Sequence, residues 1–396
     1  MDYDIAVVPG DGIGPEVIDQ ALRVLTAAGS RFGFGLKLNE FPYGANHYLK
    51  TGVILPESAF SELAACKAIL FGAVGDPRVP MGPLEQEFLL AIRFRFDLYV
   101  NLRPAKSFPK TKVPINTIPE GQGLDILVVR ENTEDFYMGL GGRGLGGFEG
   151  SFQAKRRLYG LTGDLKFQAA PNGHPTGPQA GQTAGQAANR PQDEEFAFSL
   201  GLLSATGCRR IAAKAFEFAK SRGDKALHVA SKANAVPQLY GFWDAKVNEV
   251  AANYPDVALK RMNIDNLCYQ LPRSPMDFGV ILCPNLFGDI VSDLASSLIG
   301  GLGLAPSANL GDDFAFFEPV HGSAPDIAGT GKANPLAAIL SGALLLRYLG
   351  ETQAAEAIEG EVQAYLAKGA DLPFELGGQT PVEKVGQILT AAISAK

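Results

Sequence analysis

The sequence predicts an α/β fold, and three observations support this prediction. Short apolar runs rich in β-branched residues alternate along the chain with longer segments of helical periodicity. The chain has 396 residues, which is enough for two domains with buried cores. Hydrophobic residues make up 46% of it and charged residues 19%, a balance typical of globular proteins. We therefore expect two packed α/β domains.

The predicted elements follow one another from the N-terminus. A strand at Ile5–Val8 precedes a Gly-rich turn and a helix over residues 15–29. The longest apolar stretch, residues 336–349, contains Ser341 and Arg347 and is shorter than the ~20 residues that span a bilayer, so we expect a buried helix. The other predicted strands are Ala68–Phe71, Asp125–Val129, His228–Ala230 and Asp277–Cys283, and the other predicted helices are Ala235–Ala252, Asp289–Gly303 and most of the chain after Pro335.

The segment from Gly141 to Gln192 interrupts this alternation. It is rich in Gly, Gln, Ala and Pro, a composition that is not expected to bury a core. We expect an extended or partly mobile insertion. An interaction arm and a solvent-exposed loop both fit this composition.

The charge and the termini of the chain exclude several classes of partner. A net charge of -7 without any Lys/Arg run argues against nucleic acid. The N-terminal residues lack the basic and apolar regions of an export signal, and no membrane span is expected. The cysteines show neither zinc-site nor disulfide spacing, so we expect reduced thiols in a cytoplasmic protein. They are Cys66, Cys208, Cys268 and Cys283.

A Gly-rich turn, residues 10–14, follows the first predicted strand. Its GDGIG sequence suggests a dinucleotide loop, because glycines let backbone amides approach a pyrophosphate at a helix N-terminus. The spacing is GxGxG rather than GxGxxG, and no acidic residue stands in a second strand about 20 residues later. The turn therefore does not favour a standard Rossmann site.

Two aspartates, Asp289 and Asp293, stand four residues apart on a predicted helix and share one face. Such a pair destabilises a bare helix, so a nearby cation is expected. Hard Mg²⁺ or Mn²⁺ suits carboxylate oxygens, and Asp265 is a candidate third ligand. A solvated acidic face is the alternative, but the neighbouring residues are apolar or small.

Three arginines are candidates for binding a carboxylate substrate. Arg103 and Arg130 each end an apolar run, and Arg93 lies in a mostly apolar segment. Arginine binds carboxylates with two parallel hydrogen bonds, and sites in α/β proteins are built at strand ends. We expect the three guanidinium groups to form a carboxylate clamp.

Several ordered motifs resemble those of the β-decarboxylating dehydrogenases, the isocitrate and isopropylmalate dehydrogenase superfamily. They are PGDGIGPEV, NLRP, RENTEDFY, KAN, NLFGDIVSDLASSL and EPVHGSAPDIAGTGKANP. The resemblance runs from Pro9 to about Pro335, outside the 141–192 segment. It implies a two-domain open α/β sandwich of the isopropylmalate dehydrogenase type, not a standard Rossmann fold. Residues 1–102 with 300–396 would bind the cofactor, and residues 103–299 would form the dimerisation and metal/substrate domain.

The resemblance also implies where the cofactor binds. Asp326 and Ile327 stand where NADP-dependent relatives carry Lys and Tyr, and a carboxylate accepts hydrogen bonds from a ribose 2′-OH but repels a 2′-phosphate. NAD is therefore the expected cofactor. The residues implied to contact it are Glu318, His321, Gly322, Ser323, Ala324, Asp326, Ile327 and Asn334.

Catalytic roles come from the same resemblance. Lys232 would accept the proton of the substrate hydroxyl, and Tyr137 would protonate the enolate carbon left after CO₂ departs. Lys232 and Asp265 would reach the active site of a partner subunit, so a homodimer with shared sites is expected. Asp265, Asp289 and Asp293 would hold Mg²⁺ or Mn²⁺, and K⁺ is a further candidate ion.

The substrate is expected to be a small 2-hydroxy acid built on D-malate. Leu89, Leu90 and Ala235 would line the pocket for its C3 substituent, and the two leucines suit an isopropyl group. The smaller Ala235 and the segment around Tyr137 favour tartrate or D-malate instead, and both readings stay open. Isocitrate and homoisocitrate are less favoured. A catalytically silent scaffold is the non-enzyme alternative, but every implied catalytic residue is present.

Overall fold

A ten-stranded mixed sheet forms the centre of the computed structural model, which describes residues 1–80, 82–108, 113, 115, 117–119, 122–168 and 194–395. The strand order in this sheet is β11-β10-β12-β5-β4-β13-β14-β3-β1-β2. The described strands are Asp2–Gly10 (β1), Gly35–Glu40 (β2), Ala68–Ala73 (β3), Val100–Lys106 (β4), Asp125–Glu131 (β5), Gly141–Leu145 (β6), Gly147–Lys155 (β7), Gly160–Gln168 (β8), Glu195–Ser199 (β9), Ala226–Ser231 (β10), Ala258–Asn263 (β11), Val280–Cys283 (β12), Pro306–Leu310 (β13) and Ala315–Pro319 (β14).

The sheet consists of two parallel halves joined by an antiparallel centre. β14, β3, β1 and β2 run parallel to one another, as do β5, β12, β10 and β11. Between them, β13 pairs antiparallel with both β14 and β4, and β4 pairs antiparallel with β5. The chain crosses between the halves at this centre, so residues from both ends of the sequence meet there.

Helices cover the sheet, which confirms the predicted α/β class. They are Gly14–Phe32 (α1), Ala45–Thr51 (α2), Glu57–Ala64 (α3), Ala91–Arg95 (α4), Ala205–Arg222 (α5), Phe242–Ala251 (α6), Ile264–Arg273 (α7), Asn285–Ser297 (α8), Leu336–Tyr348 (α9), Thr352–Lys368 (α10) and Val382–Ser394 (α11). Single π-helical turns at Glu85–Leu90 and Pro237–Gly241 lead into α4 and α6.

Local sequence explains the ends and the burial of these helices. Pro15 stands in the first turn of α1, where its missing N–H costs no hydrogen bond, and Gly33 ends the helix in the left-handed conformation (φ 79°). Helix α9 is buried on nearly all sides because it packs against α1, α10, β13 and β14. In the part of the chain described above, no helix is both long and apolar enough to cross a membrane.

The predicted strands are confirmed, with small shifts at their ends. Residues 275–277 form a 3₁₀ turn, so β12 begins at Val280, later than the predicted start at Asp277. Helix α8 starts at Asn285 and ends at Ser297, earlier than predicted. The predicted domain boundary between residues 102 and 103 falls inside β4, and the division into two domains stays a prediction.

The Gly-rich segment after Gly141 is more ordered than its composition predicts. β6 pairs with β9, and β7 pairs with β8 as a hairpin. Glycines make room for phenylalanine rings, since a Cβ on Gly142 would lie 2.6 Å from the Phe148 ring. Ala154 is buried in a small apolar cluster beside the turn of the hairpin, which corrects the expectation that this composition buries no core. Residues 169–192 of the predicted insertion lie outside the described residues.

Candidate active site

A cavity of about 250 Å³ lies where residues from the two halves of the sheet meet. It contains both predicted leucines, all three predicted arginines and the start of the predicted cofactor segment. Its described lining is Phe71, Ala73, Val74, Glu85, Leu89, Leu90, Arg93, Arg103, Arg130, Tyr137, Asp289, Glu318, Pro319, Val320, His321 and Gly322.

Two arginines of the central strands bind the aspartates of α8. The Arg130 Nη1 atom lies 2.5 Å from Asp289 Oδ1, and Arg103 Nη1 lies 3.2 Å from the same oxygen and 3.4 Å from Asp293 Oδ1. Burial opposes ionisation of Asp289, but Arg130 and Arg103 outweigh it and lower the pKa of this carboxyl. Burial raises the pKa of Asp293, although Arg103 opposes that shift.

The start of α8 is held by residues that sequence inspection did not single out. Asp135, in the left-handed region (φ 64°), accepts a hydrogen bond from the Leu286 amide at 2.9 Å. Asn285 accepts a 3.0 Å hydrogen bond from Arg130 Nε. Gly288 lets Arg130 lie against the helix, because a Cβ there would be 2.5 Å from Arg130 Cγ. The polar run at the end of β5 was the available signal, since six consecutive polar residues (130–135) next to an apolar strand are unusual.

The Tyr137 side chain also contacts Asp289. Its hydroxyl donates a hydrogen bond to Asp289 Oδ2 at 2.9 Å, and the Arg130 guanidinium lies 5.1 Å from its ring centroid. Burial and the Asp289 charge raise the pKa of Tyr137. The hydroxyl is therefore held in its protonated form, as a proton donor requires.

Arg93 and Glu318 form a buried ion pair on the opposite wall of the cavity. Arg93 Nη2 lies 3.0 Å from Glu318 Oε1, which also accepts a 2.8 Å hydrogen bond from the Asn309 amide. The Nε atoms of Arg93 and Arg103 are buried and have no hydrogen-bond partner among the described residues. Since buried donors are nearly always satisfied, these two unpaired N–H groups are unusual features of the arginine cluster.

Lys232, Asp265 and Ala235 do not line this cavity. Lys232 follows β10 and its Nζ lies 2.5 Å from Asp265 Oδ1, an ion pair that lowers the pKa of Asp265. Ala235 is exposed in the turn that follows Lys232. These three residues thus form a separate cluster near the surface of the same chain.

The predicted cofactor segment adjoins the cavity and the Gly-rich turn of β1. His321 and Gly322 line the cavity, and His321 Nε2 is buried without a hydrogen-bond partner in the described ranges. Ala324 has a positive φ of 39°, and Asp326 is exposed. Asn334 is turned inward instead, because its amide donates a 2.8 Å hydrogen bond to Glu375 Oε2. The remaining predicted contacts, Ser323 and Ile327, are partly buried beside this segment.

The donors present in one chain fit a divalent ion only in part. Asp289 and Asp293 supply hard carboxylate oxygens on one helix face, as Mg²⁺ and Mn²⁺ prefer. Among the described residues, however, no group of three His, Cys, Asp or Glu side chains could hold a metal, and Asp265 lies with Lys232. The described part of the chain thus supplies two carboxylates at this position.

Comparisons with known proteins identify the family of this chain. The family described as isocitrate/isopropylmalate dehydrogenase matches residues 4–387. The 3-isopropylmalate dehydrogenase of Streptomyces coelicolor is 38% identical over 99% of this chain and 98% of its own. An isocitrate/homoisocitrate dehydrogenase of Thermus thermophilus is 38% identical over 100% of both.

Solved structures share the fold. The isocitrate dehydrogenase of Methylococcus capsulatus has a TM-score of 0.79 at 29% identity, over 99% of each chain. A β-decarboxylating dehydrogenase of Thermococcus kodakarensis in its apo form has a TM-score of 0.71 at 35% identity, over 99% of this chain and 96% of its own.

Fold, cavity and relatives together define the class of protein, an oxidoreductase of the β-decarboxylating dehydrogenase type. The chain belongs to the isocitrate/isopropylmalate dehydrogenase family.

Proposed function

We propose that this protein catalyses the NAD-dependent and divalent-metal-dependent oxidative decarboxylation of a 3-substituted D-malate, in the manner of a 3-isopropylmalate dehydrogenase. One observation carries the proposal. Arg103, Arg130 and Tyr137 converge on Asp289 in a cavity whose opposite wall is the predicted cofactor segment. Such a cavity suits an anionic hydroxy acid placed beside a dinucleotide.

Each polar group of the cavity has a role in this proposal. The guanidinium groups of Arg93, Arg103 and Arg130 bind the substrate carboxylates and orient C2 and C3. Tyr137 donates its proton to C3 once CO₂ has left. When bound, NAD would accept the C2 hydride, and Mg²⁺ or Mn²⁺ would polarise the substrate oxygens beside Asp289 and Asp293.

The proposal includes a homodimer. Lys232 is assigned to accept the proton of the C2 hydroxyl, yet in one chain it is paired with Asp265 outside the cavity. A second copy would have to bring this pair to the α8 carboxylates. The active unit is therefore expected to be a dimer with two shared sites, and K⁺ stays a candidate ion.

The wall beside Arg93 favours a neutral C3 substituent. Leu89, Leu90, Phe71 and Val74 supply apolar surface, and the carboxylate of Glu85 would repel a third substrate carboxylate. This wall supports isopropylmalate over isocitrate and homoisocitrate. Tartrate or D-malate is the second candidate, because Ala235 is small and exposed where a second chain would complete the pocket.

The test is NADH formation with Mg²⁺ or Mn²⁺ against isopropylmalate, D-malate, tartrate, isocitrate and homoisocitrate. We expect isopropylmalate to react fastest, with activity abolished by EDTA and by Lys232→Ala. Lys246→Ala, which removes a lysine paired with Glu249 outside the cavity, is the matched control. Faster turnover of D-malate or tartrate would assign the second candidate, and no NADH from any acid would refute the proposal.

A further inference from the structure

The turn between β7 and β8 reaches back to the segment that carries Tyr137. Arg156, in this turn, donates hydrogen bonds from Nε to the Thr133 carbonyl oxygen at 2.9 Å and from Nη2 to the Met138 carbonyl oxygen at 3.3 Å. Thr133 and Met138 are both buried. One guanidinium group thus binds the backbone on both sides of Tyr137.

A second residue of the same turn strengthens this contact. The Tyr159 hydroxyl donates a 2.9 Å hydrogen bond to Glu134 Oε1, and the Arg156 amide donates to the Tyr159 carbonyl oxygen at 2.8 Å. Glu134 is buried and also accepts hydrogen bonds from Ser204, the N-cap of α5. The turn is therefore fixed to the Tyr137 segment at three points.

The Tyr137 segment needs such support because its backbone is strained. Asp135 lies at φ 64°, a conformation that L-residues with a side chain rarely adopt. Strained residues persist only where the surroundings over-determine them. Asp135 receives hydrogen bonds from Leu286 and Tyr240, and the Arg156 contacts hold the residues before and after it.

Arg156 also contacts α4, the helix that carries Arg93. Its guanidinium lies 3.6 Å from the ring centroid of Phe94, the neighbour of Arg93 in α4. Lysine could replace only part of this contact, because its charge sits at a single point, whereas the planar guanidinium stacks on a ring and donates along two edges. Arg156 therefore joins α4 to the Tyr137 segment.

We propose that Arg156, supported by Tyr159, is a positioning residue that sets the location of Tyr137 and thereby the protonation step of the proposed reaction, on which this inference rests. The hairpin β7–β8 thus helps to hold Tyr137 in place. Of the implied catalytic residues, only Tyr137 lies near this hairpin in the sequence. A displacement of about 1 Å at a reacting group can reduce kcat about 100-fold.

Four variants test the proposal: Arg156→Ala, Arg156→Lys, Tyr159→Phe and, as the matched control, Arg157→Ala. Arg157 is the neighbouring residue of the same turn, but its side chain is half exposed and pairs with Asp313. The first measurement is amide hydrogen exchange of the full-length protein, read on peptides covering residues 131–140. The second is kcat and KM for the acid that the wild-type enzyme turns over.

We expect Arg156→Ala to accelerate exchange in residues 131–140 and to lower kcat by about 10- to 100-fold, with a much smaller change in the KM of the acid. Arg156→Lys and Tyr159→Phe should show smaller effects of the same kind, and Arg157→Ala should match the wild type. Wild-type exchange in all variants, or acceleration spread evenly over the whole chain, would overturn the proposal. Unchanged kcat in Arg156→Ala would also overturn it. If the wild type turns over no acid, the proposed function fails, and the exchange pattern alone decides whether Arg156 positions the Tyr137 segment.

Discussion

The backbone amide of Ile13 donates a hydrogen bond to the Ser323 carbonyl oxygen at 2.8 Å, which joins the Gly-rich turn to the predicted cofactor segment. Gly12 makes this approach possible, because a Cβ at its position would lie 1.9 Å from the same oxygen. The glycines of the turn therefore serve close backbone packing. Their GxGxG spacing needs no pyrophosphate to explain it.

The first prediction concerns Gly12. Gly12→Ala should displace the 321–324 segment, raise the KM for NAD and lower the thermal unfolding temperature. Gly33→Ala is the control, since Gly33 also has a positive φ but a Cβ there would meet nothing within 4 Å. Gly33→Ala should lower the free energy of unfolding only by the backbone strain, about 1–2 kcal/mol. Equal effects of the two changes on the KM for NAD would contradict the prediction.

The second prediction concerns metal binding by the two carboxylates of α8. Asp289→Asn and Asp293→Asn should each weaken Mn²⁺ binding by at least about 10- to 100-fold, because each removes a charged oxygen ligand. Calorimetric titration of the protein with Mn²⁺, without substrate, measures this directly. Asp256→Asn, at an exposed position, is the control. Wild-type affinity in both α8 variants would place the metal elsewhere.

Substrate selection gives a third prediction. Leu90→Ala should lower kcat/KM for isopropylmalate, because apolar contacts with the C3 group are lost. The loss should correspond to an increase of about 1–3 kcal/mol in the free energy of activation. D-malate, which lacks that group, should be affected much less. Val53→Ala, an exposed residue outside the cavity, controls for general effects. Parallel losses for both acids would remove Leu90 from the C3 pocket.

Cofactor choice is the basis of the fourth prediction. Asp326→Lys combined with Ile327→Tyr should shift preference from NAD toward NADP by at least about tenfold, because a cation replaces a carboxylate that repels the 2′-phosphate. Asp326→Asn alone should weaken discrimination without creating a preference. The ratio of kcat/KM for the two cofactors is the measurement. An unchanged ratio in the double variant would refute the assigned role of Asp326.

A fifth prediction concerns His228, which is 4% exposed in β10 and whose Nδ1 atom has no hydrogen-bond partner within the part of the chain that the structure describes. Burial lowers the pKa of His228, and Lys260 acts in the same direction, whereas Asp277 and Asp224 oppose it. The unfolded chain therefore binds the proton more tightly, so the free energy of unfolding should fall as pH drops below about 6.5.

Urea unfolding between pH 5 and pH 8 tests this expectation. His228→Leu should reduce the pH dependence, because it removes the titrating group. Phe278→Leu is the control, since it removes the ring whose centroid lies 4.7 Å from that of the His228 ring but removes no proton-binding site. It should lower stability at every pH with the wild-type slope. A wild-type slope in His228→Leu would show that other groups cause the pH dependence.

The periodic pattern of apolar residues predicted much of the fold. Strand and helix periods depend on neighbours along the chain, so β1, β3, β5 and the buried helix α9 were predicted from their residues. The i,i+4 spacing of Asp289 and Asp293 likewise placed both carboxylates on one helix face. By contrast, the order at β7 and β8 was missed, because glycine-rich composition does not show which ring will lie over which glycine.

The sequence by itself determined the class of fold, the family and the residue types of the site, because these depend on local periods and ordered motifs. Only the tertiary structure decided which groups meet. It paired Arg93 with Glu318, turned Asn334 inward to Glu375, left Lys232 with Asp265 outside the cavity and brought Arg156 to the Tyr137 segment. Each of these contacts joins residues at least 23 positions apart, so no local period of the sequence indicates which groups will meet.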